Sequence, residues 1–113
     1  MAFSTGEYER RIVELDKEVI NATVYANLAD VTAFPSPITN NKYDVKIDAQ
    51  ATLTIAYELR DFTGEVILTR TFNVHKGQEK TFKINHNNIP NGILFHRFVF
   101  EDGSTKSIQT IKN

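Results

Sequence analysis

The sequence predicts an all-β fold: an immunoglobulin-like antiparallel β-sandwich of about seven strands, preceded by a short N-terminal helix. Strand-length segments rich in β-branched and aromatic residues alternate apolar with polar positions along most of the chain. Gly-centred turns separate these segments at intervals of about 8–13 residues. A helical period is confined to the first residues, and from Val19 the period is two.

The elements follow in order. Ser4-Thr5-Gly6-Glu7 has the spacing of a capping box, and Tyr8, Ile12, Leu15 and Val19 then recur at helical intervals, which predicts a helix over 5–17 within an N-terminal segment 1–18. Ile20, Ala22, Val24, Ala26 and Leu28 alternate with more polar neighbours, which predicts a strand near 20–31. Phe34-Pro35-Ser36-Pro37 ends it, because each Pro lacks an amide donor and forces its predecessor to extended geometry. Six further strands are expected near 43–48, 52–60, 65–74, 79–85, 92–100 and 104–111. Tyr43-Val45-Ile47, Leu53-Ile55-Tyr57-Leu59, Phe72-Val74 and Phe82-Ile84 each give a strand one dry face and one wet face. The run Ile93–Phe100 is the most apolar and is expected at the centre of a sheet.

The turns between them have a mechanism. Asp61-Phe62-Thr63-Gly64 fits a type I turn closed by a Gly able to take positive φ. His75-Lys76-Gly77-Gln78 and Glu101-Asp102-Gly103-Ser104 repeat that theme, and Ile89-Pro90-Asn91-Gly92 fixes φ at Pro before an Asn-Gly pair.

Composition bounds the class of function. A chain of 113 residues is read as one domain, 1–113, and its 41% hydrophobic and 24% charged content is that of a folded protein. A net charge of -1 removes any whole-chain electrostatic case for nucleic acid. Residues 1–31 carry -3 and residues 32–113 carry +2, the latter spread over Lys42, Lys46, Lys76, Lys80, Lys83 and Lys106 as expected of solvated edge strands. Without cysteine there is no disulfide framework, thiolate zinc site or Cys nucleophile. No apolar run approaches the ~18 residues that cross a bilayer, so membrane insertion is not expected.

Chemistry finds no foothold. His75, His86 and His96 lack ligand spacing, and neither a G-x-S-x-G elbow nor a phosphate-binding Gly pattern occurs. Asp61, Glu65, Glu101 and Asp102 sit in or beside turns, where carboxylates serve the backbone. Asn85-His86-Asn87-Asn88 reads as a solvated loop. Most aromatic residues fall in phase with Val, Ile and Leu, while Phe62 at a hairpin tip is expected to be exposed and is the first candidate for partner recognition. No catalytic, cofactor-binding or metal-binding residue is assigned.

The order of these segments carries a resemblance. Leu59-Arg60-Asp61-Phe62-Thr63-Gly64-Glu65-Val66-Ile67, Asn73 to Gly77, Ile89-Pro90-Asn91-Gly92-Ile93-Leu94-Phe95-His96-Arg97 and a final Ile111-Lys112-Asn113 resemble the C-terminal sorting domain of Bacteroidetes proteins exported by the type IX secretion system. That family opens on Y-P-N-P, here Phe34-Pro35-Ser36-Pro37, has a D-x-x-G hairpin, and ends on a basic K-x-x-K. Ser36, Glu65, Leu94-Phe95 and Gln109 depart from its pattern. The resemblance covers roughly 32–113. It implies a non-enzymatic sorting signal recognised by the type IX outer-membrane translocon, with a sortase-like peptidase then attaching the cargo to the cell surface. It also implies that Asp61, Gly64, Pro90 and Gly92 shape turns while Lys112 is a direct contact. Lys112 and Asn113 are expected to be exposed and dispensable for folding.

The alternative is a free-standing immunoglobulin-like binding or structural module that pairs through an edge strand or hairpin tip, for instance as a homodimer. Residues 1–7 lack the basic start and apolar stretch of a secretory signal. Read from Met1 the chain would be cytoplasmic; read as the end of a longer exported protein it would cross the periplasm to the surface. On either reading, elemental analysis of protein purified without chelator should find no stoichiometric transition metal. One equivalent of zinc would contradict this.

Overall fold

Alternating side chains on seven strands produce two apolar faces, and the fold is the way those faces meet. The computed structural model of the chain describes residues 24–113, together with the backbone of 2–4 and 6–7. Strands β1 (Ala29–Phe34), β2 (Lys42–Ala49), β3 (Leu53–Arg60), β4 (Val66–Val74), β5 (Glu79–Asn85), β6 (Gly92–Val99) and β7 (Thr105–Lys112) are all antiparallel. They form a three-stranded sheet in the order β1-β2-β5 and a four-stranded sheet in the order β4-β3-β6-β7. The expected two-sheet sandwich is therefore observed, and the apolar run on β6 occupies a central strand.

The core is built by phase. Tyr43, Val45, Ile47 and Ala49 of β2 are buried together with Leu53, Ile55, Tyr57 and Leu59 of β3 and Leu94 and Phe98 of β6. Fully burying one such aliphatic or aromatic side chain stabilises by about 1.5–3 kcal/mol, and these three strands supply ten of the twenty buried apolar residues among those described. One open side of the sandwich is bridged by the rings of Phe72 (β4) and Phe82 (β5), stacked with centroids 4.2 Å apart. The other side is closed by main chain. After β1 the chain passes Phe34-Pro35-Ser36-Pro37 and reaches Ile38, whose N–H donates to Ile111 O at 2.7 Å; Asn113 N–H then donates to Ile38 O at 2.9 Å. Ile38 is fully buried there and forms a parallel bridge with Lys112.

Strand six of the expected set runs 104–111 and is observed at Thr105–Lys112; the other five begin and end within one residue of expectation. The N-terminal side differs. The expected strand near 20–31 is instead a 3₁₀ turn, Tyr25–Leu28, followed by β1 at Ala29–Phe34. Asn27 N–H donates to Val24 O at 3.0 Å and winds the backbone. The turn shifts the phase by one residue: Ala29 and Ala33 are buried, whereas Val24, taken as inward, is 40% exposed. Residues 20–23 lie outside the described part of the chain. So does the expected helix over 5–17, apart from Gly6 and Glu7, which are extended and paired with Ala2–Ser4. The C-terminal hairpin turn also begins one residue earlier than expected, with Gly103 N–H donating to Phe100 O at 2.9 Å.

β1 adds a third strand to its sheet and covers β2. Deleting residues 1–31 removes Ala26, Ala29 and Val31 from the core and half of the β1 ladder, and should cost roughly 2–4 kcal/mol. A lowered denaturant midpoint measures this, and an unchanged midpoint would show that the segment does not belong to the sandwich.

Candidate functional site

Asp61 makes the β3–β4 hairpin. Its Oδ1 accepts hydrogen bonds from Thr63 N–H (2.9 Å), Thr63 Oγ1 (2.6 Å) and Glu65 N–H (3.1 Å), while its main-chain oxygen accepts from Gly64 N–H at 3.0 Å. The Thr63 hydroxyl, with the amides of Glu65 and Thr63, holds the Asp61 carboxyl below its usual range. Gly64 sits at φ 89°, a region that costs an L side chain about 1–2 kcal/mol, so the Gly-closed turn read from the sequence is observed at these residues. The product of this local chemistry is the position of Phe62. It stands at the tip, 67% exposed, and a methyl group on Gly92 would meet its ring at 3.9 Å.

Gly92 opens β6 at φ 107° and pairs with Lys112 across the β6–β7 ladder. The next pair in register is Ile93 with Ile111, 44% and 50% exposed on the outer face of the four-stranded sheet. Phe62, Ile93 and Ile111 are thus three exposed apolar side chains at one end of the sandwich, Ile93 and Ile111 paired on the outer face and Phe62 at the hairpin tip beside Gly92. On the same sheet Glu58 holds Arg60 at 3.0 Å and Arg97 at 3.4 Å. The six residues singled out in the sequence, Asp61, Phe62, Gly64, Pro90, Gly92 and Lys112, all lie at this same end.

Lys112 differs from expectation. Its Nζ donates to Ile89 O at 2.9 Å and Asn91 Oδ1 at 3.2 Å, so the ammonium clamps the Pro90–Gly92 turn against the last strand. The side chain is half-buried, and Asn113 is tied to Ile38, so the final residues contribute to the fold. A terminal Lys followed by one residue gives no hint in sequence of an acceptor some twenty positions earlier.

A second feature escaped the sequence reading. His96, opposite in phase to Phe95, is fully buried, in phase with Leu94 and Phe98. Its Nδ1 meets Tyr57 Oη at 2.7 Å and its Nε2 meets Thr110 Oγ1 at 2.8 Å, and Tyr57 Oη in turn meets Tyr43 Oη. A neutral imidazole has one N–H and one acceptor, and either proton ordering satisfies all three bonds. The polar thread runs from β2 of one sheet through β3 and β6 to β7. Burial lowers the His96 pKa to about 4 and raises that of Tyr43 to about 12. The parity of His96 with Leu94, Phe98 and Phe100 was the available signal.

A cleft of about 380 Å³ is lined by Asn41, Lys42, Asn85, His86 and Asn87. Its Asn41 side chain is engaged by the β5–β6 loop: Oδ1 accepts from Ile89 N–H at 3.0 Å and Nδ2 donates to Asn87 O at 3.1 Å. Among the described residues no group of three His, Asp or Glu side chains converges to hold a metal, and no helix is long and apolar enough to cross a membrane.

Two outcomes follow from this geometry. His96 has a folded pKa near 4 against an ordinary 6.5, so its contribution is fully present above pH 6.5 and is lost as pH falls toward 4. The loss should total roughly 3 kcal/mol across that window, read as a falling midpoint in urea. His96→Gln should flatten it, and a wild-type midpoint constant from pH 7 to 4.5 would contradict the assignment. Lys112→Met, which keeps the apolar stem and removes the ammonium, should destabilise by about 1–2 kcal/mol. An unchanged midpoint would show that the clamp contributes nothing.

Comparison with known proteins bears directly on this arrangement. Residues 32–112 match the family model of the secretion system C-terminal sorting domain. Among solved structures, the chain is similar to a part of dimeric latent PorU from Porphyromonas gingivalis, with a TM-score of 0.61 and 22% identity over 74% of this chain. The match spans 9% of the PorU chain, and at that identity it shows the shared fold. A β-glucosidase from Listeria innocua, in complex with glucose, aligns over 75% of this chain and 16% of its own at 14% identity, with a TM-score of 0.41 that supports no further comparison. No curated protein matches the sequence. Because the family model spans β2 to β7 whole, the Ile38 seam and the Phe62 hairpin tip, the chain belongs to the secretion system C-terminal sorting domain family: it is a non-catalytic signal domain recognised by secretion machinery and directs export toward the cell surface.

Proposed function

We propose that the machinery reading this domain is the type IX outer-membrane translocon, and that it does so through the Phe62–Ile93–Ile111 end of the sandwich. The observation that supports this most is the exposure of three large apolar side chains, Phe62, Ile93 and Ile111, at one end of the fold. The D-x-x-G hairpin, the P-x-G turn and the basic terminus, which carried the resemblance, all converge on that end. Exposed apolar side chains on the same sheet as the Glu58–Arg60 and Glu58–Arg97 ion pairs offer a partner both desolvation energy and polar contacts. Asp61, Gly64, Pro90 and Gly92 act by shaping the backbone beneath Phe62. Lys112 acts from the same end, as the clamp that holds the Gly92 turn in place. Once the domain has been recognised in the periplasm, a sortase-like peptidase separates it and joins the cargo to a surface lipopolysaccharide.

The experiment is a fusion of the whole chain behind a periplasm-targeted reporter in a type IX-competent host. The intact fusion should reach the cell surface. Phe62→Ser with Ile93→Thr should lower surface delivery at least about tenfold while the purified domain keeps its melting temperature within a few degrees, because both side chains are exposed in the folded state. If the intact fusion stays periplasmic, the domain has kept the fold without the type IX role. If the double variant is delivered normally, recognition uses another surface.

A further inference from the structure

We infer that the Phe100–Ser104 hairpin turn is a dock for the chain entering from upstream, so that the folded unit extends upstream at least to Tyr25 and a peptidase freeing the domain must cut N-terminal to that residue. The processing clause rests on the sorting function proposed above, and the dock does not. Family resemblance begins at residue 32, yet the seven residues before it are tied down by partners on three different parts of the fold. Tyr25 N–H donates to Asp102 Oδ2 at 2.8 Å, and Ala26 N–H donates to Ser104 Oγ at 2.9 Å. The Ser104 hydroxyl in turn donates to Asp102 Oδ1, which also accepts from Ser104 N–H at 3.0 Å, so one carboxylate and one hydroxyl are oriented together.

The grip continues along the chain. Leu28 O accepts from Gln50 N–H at 2.7 Å, in the loop between β2 and β3, and Ala29 O accepts from Lys106 Nζ at 2.6 Å on β7. Ala26 and Ala29 are buried beneath these contacts. The Ser104 hydroxyl, then the Tyr25 amide, hold the Asp102 carboxyl below its usual range, which keeps it anionic and a strong acceptor at neutral pH. A peptidase needs several consecutive residues in extended form with free backbone groups, and it obtains them inside a fold only by local opening. Tyr25–Leu28 are wound and bonded, and Ala29–Phe34 are paired with β2, so neither stretch offers such a substrate.

Limited proteolysis of the full chain by a broad-specificity protease, with the intact mass of the resistant product, tests this. The wild-type product should begin at Tyr25 or upstream; a product beginning downstream of Tyr25 overturns the inference. Asp102→Ala with Ser104→Ala should admit cutting within 25–31 about tenfold faster than in the wild type. Since those residues also shape their own hairpin, Tyr25→Pro provides a second route. It removes the backbone donor at the first position of a 3₁₀ turn without touching Asp102 or Ser104, after a Val24 whose φ of -95° and ψ of 152° suit the residue before proline. It should produce the same shift, and unchanged cutting in both variants would overturn the dock. The two readings fail separately. Lost surface delivery with a product starting at Tyr25 or upstream removes the sorting role and leaves the dock. Surface delivery with a released domain that starts downstream of Tyr25 does the reverse.

Discussion

Two main-chain hydrogen bonds join the segment after β1 to the last residues of the chain, and the rest of the sandwich is arranged around them. Ile38 N–H to Ile111 O and Asn113 N–H to Ile38 O tie the opening of the family-matched stretch to its finish. A two-sheet sandwich has two open sides. The side between β4 and β5 is bridged by side chains, Phe72 on Phe82 and Arg70 toward Asn85. The side between β1 and β7 is bridged by backbone, which leaves little freedom in where β7 lies. That placement fixes Ile111 opposite Ile93, brings the Lys112 ammonium onto the Ile89 carbonyl, and sets Thr110 where His96 can reach it. One seam therefore governs the exposed apolar end, the clamp beneath it and the buried polar thread.

The polar thread serves that geometry from inside. A buried hydroxyl or imidazole without a partner costs about 1–3 kcal/mol, so Tyr43, Tyr57, His96 and Thr110 tolerate few arrangements other than the one in which each finds the next. Apolar contacts alone would let the sheets slide at small cost. The thread spans β2, β3, β6 and β7, and so couples the two sheets to the edge strand that carries the C-terminus. The ends of the module are also divided in use. The upstream chain enters beside the Phe100–Ser104 turn, whereas Phe62, Ile93 and Ile111 lie at the opposite end of β6 and β7, roughly 25 Å away along eight-residue strands. A cargo attached at one end would leave the other end free for contact.

Local chemistry was legible and distant partners were not. The Asp61–Gly64 turn could be read directly, because every group that makes it lies within five residues. Strands with clean alternation, such as Leu53-Ile55-Tyr57-Leu59, could likewise be placed to within a residue. The 3₁₀ turn at Tyr25 could not, since the acceptors that satisfy its first two amides are Asp102 and Ser104, over seventy positions later. Alternation through Val24, Ala26 and Leu28 was real, but tertiary hydrogen bonds overrode it. The burial of His96 was not legible for a related reason: the Tyr57 and Thr110 side chains that complete its hydrogen bonds lie on other strands, 39 and 14 positions away. The family pattern was legible as an order of motifs. That those motifs gather at one end of the fold could be seen only in three dimensions.

The account turns on the seam between Ile38 and the C-terminal residues, and amide hydrogen exchange measures it most directly. If the seam closes the sandwich, the Ile38 and Asn113 amides should exchange on the slow timescale of the β3 and β6 core amides, through the same opening event. Exchange of both at the rate of an unprotected chain end, with β3 and β6 still protected, would contradict it. The terminus would then be a frayed tail, and neither the clamp nor the exposed apolar end could depend on it.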